Sequence, residues 1–258
     1  MSFLSRITDR LILQPTTNYI DPEGMGRHVI KTPSGDVEAW TTTSIPESPA
    51  ALDVVLLKFP GTGGRAERSS PHPSEAWPHV CCQSWTINHL GYGKSSGPAT
   101  IQTFTETCDS VWRALKDTFP DHKVVVYGNS LGCLSALYVS AHYPVAAAYI
   151  RNPPPLAQMI ATRPRYAWWS LGFSRLIANQ VPAKLNAVEN AYRSTCPALF
   201  VQSELDRVVP TKYQDLVINQ YSGTKRKLVL RGADHHHRAA ESQLAEYSEA
   251  VSWLGEQV

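Results

Sequence analysis

The 258-residue chain lacks several features that mark particular classes of protein. No stretch approaches the roughly 20 consecutive apolar residues of a membrane-spanning helix, and the N-terminus lacks the apolar core of a secretory signal peptide. The net charge is only +2 and the basic residues are scattered, which excludes the dense positive surface of a nucleic-acid-binding protein. We therefore expect a cytoplasmic protein with no nucleic-acid partner.

A disulfide framework is also missing. The five cysteines are odd in number, have no framework spacing and lie in or beside predicted core elements. Free, buried thiols in a reducing compartment are therefore expected, and nothing around them supports a catalytic cysteine.

The chain does contain enough apolar material for a sizeable core, since 43% of its residues are hydrophobic and 18% are charged. Strands are predicted at 28–32, 37–42, 54–59, 80–87, 124–127, 146–150, 198–202 and 227–230, and most of them alternate with segments of helical periodicity. This order predicts an α/β fold in one domain over 1–258, with a mostly parallel central sheet flanked by helices. A proline-containing insertion at 153–194 is long enough to cap a site at the carboxyl ends of the strands.

The N-terminal segment has a pattern of its own. Apolar residues recur there at helical spacing with basic residues between them: Phe3, Leu4, Ile7, Leu11 and Ile12. Such a helix either rests on its own domain or makes a peripheral membrane contact, because apolar and basic faces combine in it.

The most informative stretch is Gly128-Asn129-Ser130-Leu131-Gly132, which follows a β-branched run and precedes a helical pattern. A strand that turns sharply into a helix with a serine at the apex lifts the hydroxyl clear of the sheet. The two glycines remove Cβ atoms where the backbones crowd, and the helix start offers free N–H groups to a developing oxyanion. The pattern predicts Ser130 as a nucleophile, whereas a plain β-turn is the alternative.

A serine nucleophile needs a base and an acid that orients the base, and this architecture places them downstream in the order acid, then histidine. Asp206 follows the strand at 198–202 and is the predicted acid, although an Asx-turn is an alternative role for it and Glu204 is a second candidate. The base is expected on the loop after the last strand, which carries His235, His236 and His237. Metal binding by these three is disfavoured, because consecutive residues rarely converge on one ion.

The oxyanion hole requires two N–H donors. Leu131, directly after the nucleophile, is expected to supply one, and the glycine-rich loop at 60–64 the other. Thr62 is the best single choice in that loop.

With these residues assembled, the chain resembles the alpha/beta-hydrolase superfamily from about residue 14 onward. The motifs that carry the likeness are the serine elbow, Gly91-Tyr92-Gly93, Asn152-Pro153-Pro154, Asp206-x-Val208-Val209-Pro210 and Gly232-x-x-His235. Together they are similar to the small-cap abhydrolase-domain branch, which contains esterases, monoacylglycerol lipases and protein depalmitoylases. The resemblance implies that His235 is the base and that no cofactor is needed. Two departures stand out, since the branch usually has His-Gly at Pro60-Gly61 and an acidic residue at Asn88.

The expected activity is therefore hydrolysis of carboxylic esters or thioesters on a small-molecule or lipid-like acyl substrate. A same-fold acyltransferase, lyase or binding scaffold is the alternative, because fold does not fix function. Seven apolar residues of the insertion either line an acyl pocket or pack the cap onto the core: Met159, Ile160, Tyr166, Trp168, Trp169, Leu171 and Phe173.

Overall fold

An eight-stranded sheet forms the centre of the computed structural model of the protein, which describes residues 3–44, 52–77, 79–162 and 171–258. The strands are β1 (Gly26–Thr32), β2 (Gly35–Ser44), β3 (Val54–Phe59), β4 (Cys82–Asn88), β5 (Lys123–Asn129), β6 (Ala147–Arg151), β7 (Ala198–Ser203) and β8 (Lys225–Leu230). The helices are α1 (Phe3–Ile12), α2 (Phe104–Thr118), α3 (Gly132–His142), α4 (Leu156–Thr162), α5 (Leu171–Ala178), α6 (Ala187–Arg193), α7 (Thr211–Gln220) and α8 (Leu244–Gly255). The spatial order of the strands is β1-β2-β4-β3-β5-β6-β7-β8.

Most of the sheet is parallel. Only the pairings of β2, with β1 on one side and β4 on the other, are antiparallel among the described strands. The predicted α/β fold with a mostly parallel sheet is confirmed, and β1 and β2 form a hairpin at its edge. The carboxyl ends of the parallel strands therefore meet at one edge, where ligands bind in such folds.

The side chains of β3 show how the two faces of the sheet are covered. Val55, Leu57 and Phe59 belong to the apolar core on the side of α2 and α3, whereas Val54 and Leu56 belong to the core on the side of α8. This alternation follows from the two-residue period of a strand. Lys58 shares the second face and is only 5% exposed, a buried charge that the apolar reading of this strand missed.

Helix α3 lies against the sheet and is buried from Gly132 through Ser140. A helix that is apolar on all sides is typical of such a central position. Leu134 and Leu137 are fully buried, and each contributes about 1.5–3 kcal/mol by leaving water.

The predicted cap at 153–194 is divided between two parts of the fold. Helix α6 packs against α3 and α7, so it is one of the helices that cover the sheet rather than part of a cap. Met159 and Ile160 on α4 are buried, and Met159 packs with Val209 and Tyr213 beside Asp206. Of the other predicted pocket residues, Tyr166, Trp168 and Trp169 lie outside the described residues, as do the side chains of Leu171 and Phe173.

Helix α1 rests on its own domain. Thr8, Asp9 and Ile12 are buried, Leu13 after the helix is fully buried, and the helix contacts α5. Leu11, predicted on the apolar face, is 45% exposed, because the chain turns so that Leu13 enters the core instead. No helix in the described residues is long and apolar enough to cross a membrane.

Candidate active site

The serine elbow joins β5 to α3 by a turn that only small residues permit. Ser130 has a φ of +51°, a conformation uncommon for a residue with a side chain. A Cβ on Gly128 would lie 2.7 Å from the Cα of Cys133, and one on Gly132 would lie 2.0 Å from the carbonyl oxygen of Phe59. Both glycines of the motif are therefore needed for strand, turn and helix to pack this closely.

The backbone holds Ser130 at the carboxyl end of β5. Its N–H donates to the carbonyl oxygen of Arg151 at 2.8 Å, and its own carbonyl oxygen accepts from the N–H of Cys133 at 2.9 Å. The Ser130 hydroxyl oxygen lies 2.9 Å from Nε2 of His235. The turn thus directs the hydroxyl to a ring nitrogen rather than to the backbone.

His235 in turn meets Asp206. The distance from His235 Nδ1 to Asp206 Oδ2 is 2.6 Å, and both side chains are buried. Asp206 Oδ1 accepts from the N–H groups of Val208 and Val209, each at 2.8 Å, while Gln214 Nε2 donates to Oδ2 at 3.2 Å. These donors fix the carboxylate, so the structure brings Ser130, His235 and Asp206 together in one hydrogen-bonded chain.

Glu204, the second candidate acid, has a different position. It is exposed, and its Oε2 accepts from the N–H of Gly232 at 2.7 Å. Gly232 has a φ of +68°, a left-handed conformation that favours glycine. Glu204 therefore stabilises the turn that leads to His235 and does not contact the imidazole.

The neighbouring histidines also differ from His235. The N–H groups of His236 and His237 donate to Oδ1 of Asp234 at 2.9 and 3.2 Å, and the ring of His237 pairs with the same carboxylate. Both side chains are exposed. The described residues contain no cluster of three or more side chains that could hold a metal ion.

Asn152 is a positioning residue that the sequence reading used only as part of a motif. It is fully buried with a φ of +51°, and its Oδ1 accepts from the N–H of Ser203 at 2.8 Å. Its Nδ2 donates to the hydroxyl of Ser203 at 3.1 Å and to the carbonyl oxygen of His235 at 3.4 Å. Asn152 thereby joins the ends of β6 and β7 to the histidine loop. Its place before two prolines was the available signal.

The loop at 60–64, called the oxyanion loop from here on, packs directly on the elbow. A Cβ on Gly61 would lie 3.2 Å from the Cβ of Ser130 and 3.0 Å from the carbonyl oxygen of Asn129. Within the described residues, the N–H groups of Thr62 and Leu131 have no hydrogen-bond acceptor. Both amides predicted to bind an oxyanion are therefore free to do so.

The oxyanion loop is fastened to the end of the first helix. The Thr62 hydroxyl donates to the carbonyl oxygen of Ile12 at 3.1 Å, and the Gly63 N–H donates to that of Leu13 at 3.3 Å. The Tyr92 hydroxyl donates to the same carbonyl of Leu13. The end of α1 and the residue after it therefore hold the oxyanion loop in place.

Asn88 is an amide at a position where the small-cap abhydrolase-domain branch usually has an acidic residue, and its contacts show how the chain accommodates it. Asn88 Nδ2 donates to Glu38 and to Glu67, each at 2.9 Å, and its Oδ1 accepts from the N–H of Ala66 at 2.8 Å. Arg65 pairs with Glu67, and Arg27 pairs with Glu38 at 2.7 Å. The two buried carboxylates thus come from other elements, and the amide bridges them beside the oxyanion loop.

Hydrogen bonds keep one of these carboxylates charged. Burial by itself would raise the pKa of Glu38, but hydrogen bonds from Arg27, the N–H of Lys94 and Asn88 outweigh burial and lower the pKa.

We expect Asn88→Asp to destabilise the protein by about 3–5 kcal/mol at pH 8, since a third buried carboxylate would replace the donor that bridges two others. The measurement is urea unfolding followed by circular dichroism. The introduced carboxyl would have a higher pKa when folded than when unfolded, so its protonated form restores stability as the pH falls. The deficit relative to wild type should therefore shrink between pH 8 and pH 5. Equal stability of the two proteins at pH 8 would contradict the bridging role.

The chain is similar in sequence to known alpha/beta hydrolases. Residues 60–185 match a family model described as the alpha/beta hydrolase fold. Alpha/beta hydrolase domain-containing protein 17B of Xenopus laevis is 22% identical over 163 residues, which cover 61% of this chain and 51% of that protein. The chain thus spans about half the length of the curated relatives it matches.

Solved structures show the same architecture over nearly the whole chain. An esterase of Pyrococcus furiosus is 15% identical with a TM-score of 0.64, over 95% of this chain and 97% of that one. Est1E from Butyrivibrio proteoclasticus, solved with ferulic acid bound, is 18% identical with a TM-score of 0.63, over 89% and 98% of the two chains. The sheet order, the serine elbow and these matches agree that the chain has the alpha/beta hydrolase fold.

Proposed function

We propose that the protein is a serine hydrolase that cleaves carboxylic esters or thioesters through an acyl-enzyme intermediate. The observation that carries this proposal is the continuous chain from the Ser130 hydroxyl to His235 at 2.9 Å and from His235 to Asp206 at 2.6 Å. This constellation is the one that activates serine in acyl transfer on several unrelated folds. The Pyrococcus furiosus neighbour is an esterase, and the Butyrivibrio proteoclasticus neighbour was solved with ferulic acid bound. Both give additional support for carboxylic ester substrates.

The first half of the reaction forms an ester on Ser130. His235 Nε2 takes the hydroxyl proton as the serine oxygen attacks the acyl carbonyl carbon, and Asp206 stabilises the resulting imidazolium. The N–H groups of Leu131 and Thr62 donate to the oxyanion of the tetrahedral intermediate. When the intermediate collapses, the bond to the alcohol or thiol breaks and His235 gives its proton to that leaving group.

The second half releases the acid. Water attacks the acyl carbon of the Ser130 ester, again with His235 as base, and the serine hydroxyl is regenerated as the carboxylic acid departs. Every proton and electron pair is accounted for by Ser130, His235, substrate and water.

A cysteine nucleophile is not supported at this position. Cys133, in the first turn of α3, is fully buried and directs its sulfur toward the carbonyl oxygen of Arg151 at 3.1 Å. Burial raises the pKa of the Cys133 thiol well above its ordinary value, which keeps it protonated and inert.

The proposal is tested by fluorophosphonate labelling combined with a substrate series. Mass spectrometry should place one adduct on the peptide that contains Ser130. 4-Nitrophenyl esters and acyl thioesters of increasing chain length should then define the acyl group and the leaving group. A rate that rises on addition of an alcohol acceptor, with ester rather than acid as product, would assign acyl transfer instead of hydrolysis. A folded protein that neither labels nor turns over any member of the series would overturn the proposal.

Asp206→Asn is expected to lower kcat by about 10⁴-fold, because an amide at this position favours the wrong tautomer of His235. The matched control is Glu204→Gln two residues earlier, which removes a carboxylate that accepts from the Gly232 N–H and has no other hydrogen bond within the described residues. We expect this control to stay within about tenfold of wild type, as for a group outside the reacting chain. Both are measured as kcat on one ester, and a larger loss in the Glu204 variant would reverse the assignment of the acid.

A further inference from the structure

A cavity of about 240 Å³ is lined by residues of the oxyanion loop and of the strand that leads to the serine elbow. Pro60, Gly61 and Asn129 line it toward the elbow, and Lys58, Arg68 and Thr86 line the rest. Gly61 and Asn129 both adjoin Ser130, so the cavity is one residue away from the candidate nucleophile. The reaction steps above do not use it.

Lys58 places a positive charge in the wall of this cavity. Its Nζ donates to the carbonyl oxygens of Ser70 at 2.7 Å and His72 at 2.8 Å, and it lies 4.9 Å from the centre of the Tyr127 ring. No carboxylate among the described residues forms an ion pair with it, and one of its three N–H groups has no acceptor there. Burial lowers the pKa of Lys58 to about 8, so the amine remains mostly charged at neutral pH. An unpaired buried cation is costly unless an anion completes its surroundings.

The neighbouring charges have the same sign. Arg68 is exposed at the cavity and has no ion pair within the described residues. Arg151 donates to the carbonyl oxygen of His237, while its Nε is buried without a partner in the described part of the chain. Burial, and then the charges of Lys58, Arg151 and Arg238, lower the pKa of His72 to about 4.

The acids nearby do not cancel this field. Glu75 is exposed, so solvent screens its charge, and its Oε1 lies 3.5 Å from Nδ1 of His72. Glu67 is buried but is already occupied by Arg65 and Asn88. The edge of the sheet between the oxyanion loop and the histidine loop is therefore electropositive, although the whole chain carries a net charge of only +2.

We propose that this cavity, the anion pocket, binds a carboxylate or phosphate group of the substrate, so that the preferred substrates are esters or thioesters with a negative charge a few bonds from the reacting carbonyl. This inference rests on the proposed function and specifies its substrate class. Lys58 supplies the buried charge, and Arg68 supplies a planar donor at the entrance that suits carboxylate and phosphate oxygens. Anchoring the charge there holds the acyl carbon near Ser130.

The test compares esters that differ only in charge. One pair is mono-4-nitrophenyl glutarate and the neutral 4-nitrophenyl methyl glutarate, of which the first carries its charge on the acyl side. The other pair is 4-acetoxybenzoate and its methyl ester, which place it on the leaving group. In at least one pair the anionic member should have the higher kcat/KM, and that ratio should fall as salt is raised from 20 to 300 mM.

Variants of Arg68 and Lys58 then test whether the preference for the anionic ester comes from the anion pocket. Arg68→Gln should reduce the ratio of anionic to neutral kcat/KM by about fivefold and Arg68→Glu by more, as expected for loss and reversal of one charge at a partly solvated site. Both changes are at an exposed position, so folding is retained. Lys58→Met is the buried counterpart, with circular dichroism as its folding control. Arg10→Gln on α1, an exposed arginine away from the cavity, is the matched control and should leave the ratio unchanged.

Binding of inorganic phosphate, measured by calorimetry, provides a readout that is independent of turnover. Phosphate should bind the wild-type protein more tightly than Arg68→Glu and should compete with the anionic ester. Phosphate that binds without competing would indicate a separate effector site and would overturn the substrate assignment. Ratios near one in both pairs, or ratios unaffected by Arg68→Glu, would also overturn the anion pocket. In that case, labelling of Ser130 and turnover of neutral esters would still support the hydrolase proposal. Loss of labelling and of all turnover would instead refute the hydrolase proposal and, with it, the inference.

Discussion

Replacing Ser130 by alanine is expected to lower kcat by about 10⁶-fold on any ester that the wild-type protein hydrolyses. The hydroxyl oxygen lies 2.9 Å from His235 Nε2, and alanine leaves no group to form the acyl intermediate. Alanine keeps the Cβ of serine and removes only the hydroxyl, so the fold and the positions of His235 and Asp206 should be retained. The measurements are kcat on a 4-nitrophenyl ester and incorporation of a fluorophosphonate.

The matched control for this prediction is Cys133→Ala. Cys133 is three residues from Ser130 and is the nearest alternative nucleophile in the sequence, but it is buried behind the turn. This variant should keep its adduct on the Ser130 peptide and should retain turnover. An adduct that persists in Ser130→Ala, on a cysteine or on another serine, would show that the elbow does not carry the nucleophile.

His235→Ala is expected to produce a loss of similar size, about 10⁶-fold in kcat, because serine without its base is a poor nucleophile. The two following histidines are suitable controls, since all three lie on one loop. His236→Ala removes a ring that packs edge-on against His235 at a centroid distance of 5.1 Å, and His237→Ala removes a ring paired with Asp234. Neither ring contacts Ser130 or Asp206, so both controls should remain within about tenfold of wild type.

The three histidine variants are compared by kcat/KM on one ester, with circular dichroism to verify folding. A pH profile adds a second readout, because activity that depends on a neutral imidazole falls as the base becomes protonated. If His236→Ala were inactive and His235→Ala retained most of its rate, the base would be the next residue along the loop.

The features that could be predicted from the sequence are those encoded by short local patterns. Both ends of β3, Val54 and Phe59, were predicted correctly from its β-branched and apolar run. A strand buried on both faces has a composition very different from that of the glycine-rich loop that follows. The elbow was also readable, since its glycines are required by contacts within a few residues of Ser130. Asp206 and His235, the predicted acid and base, could be located because each follows a strand that ends at the same edge, and the structure brings the two side chains into contact.

Features that depend on partners distant in sequence were missed. The start of α8 at Leu244 is one of them, because Gln243 donates to the carbonyl oxygen of Val229 and accepts from the N–H of Arg231, which fixes the chain before the helix. The start of β8 is another: the strand predicted at 227–230 begins at Lys225, where Arg226 pairs with Glu249 and Lys227 with Asp215. No local pattern announces either set of contacts.

The same limit applies near the site. The burial of Lys58 depends on carbonyl groups at positions 70 and 72, and the role of Asn152 depends on Ser203 and His235. A single lysine in a strand and a single asparagine before prolines are compatible with many environments. The folded structure is needed to show that Lys58 is a buried cation and that Asn152 holds the histidine loop by a hydrogen bond.

The hydrogen bonds from Thr62 and Gly63 to the carbonyl groups of Ile12 and Leu13 join the oxyanion loop to the end of the first helix. Under the proposed function, this helix supports the loop during catalysis. Any ligand, lipid surface or fusion partner that shifts α1 must also shift the free energy of the loop that receives the oxyanion. By thermodynamic reciprocity, a transition-state analogue that orders this loop must change the affinity of α1 for that ligand by the same factor. Under the proposed function, a ligand of α1 is therefore expected to change turnover without contacting the substrate.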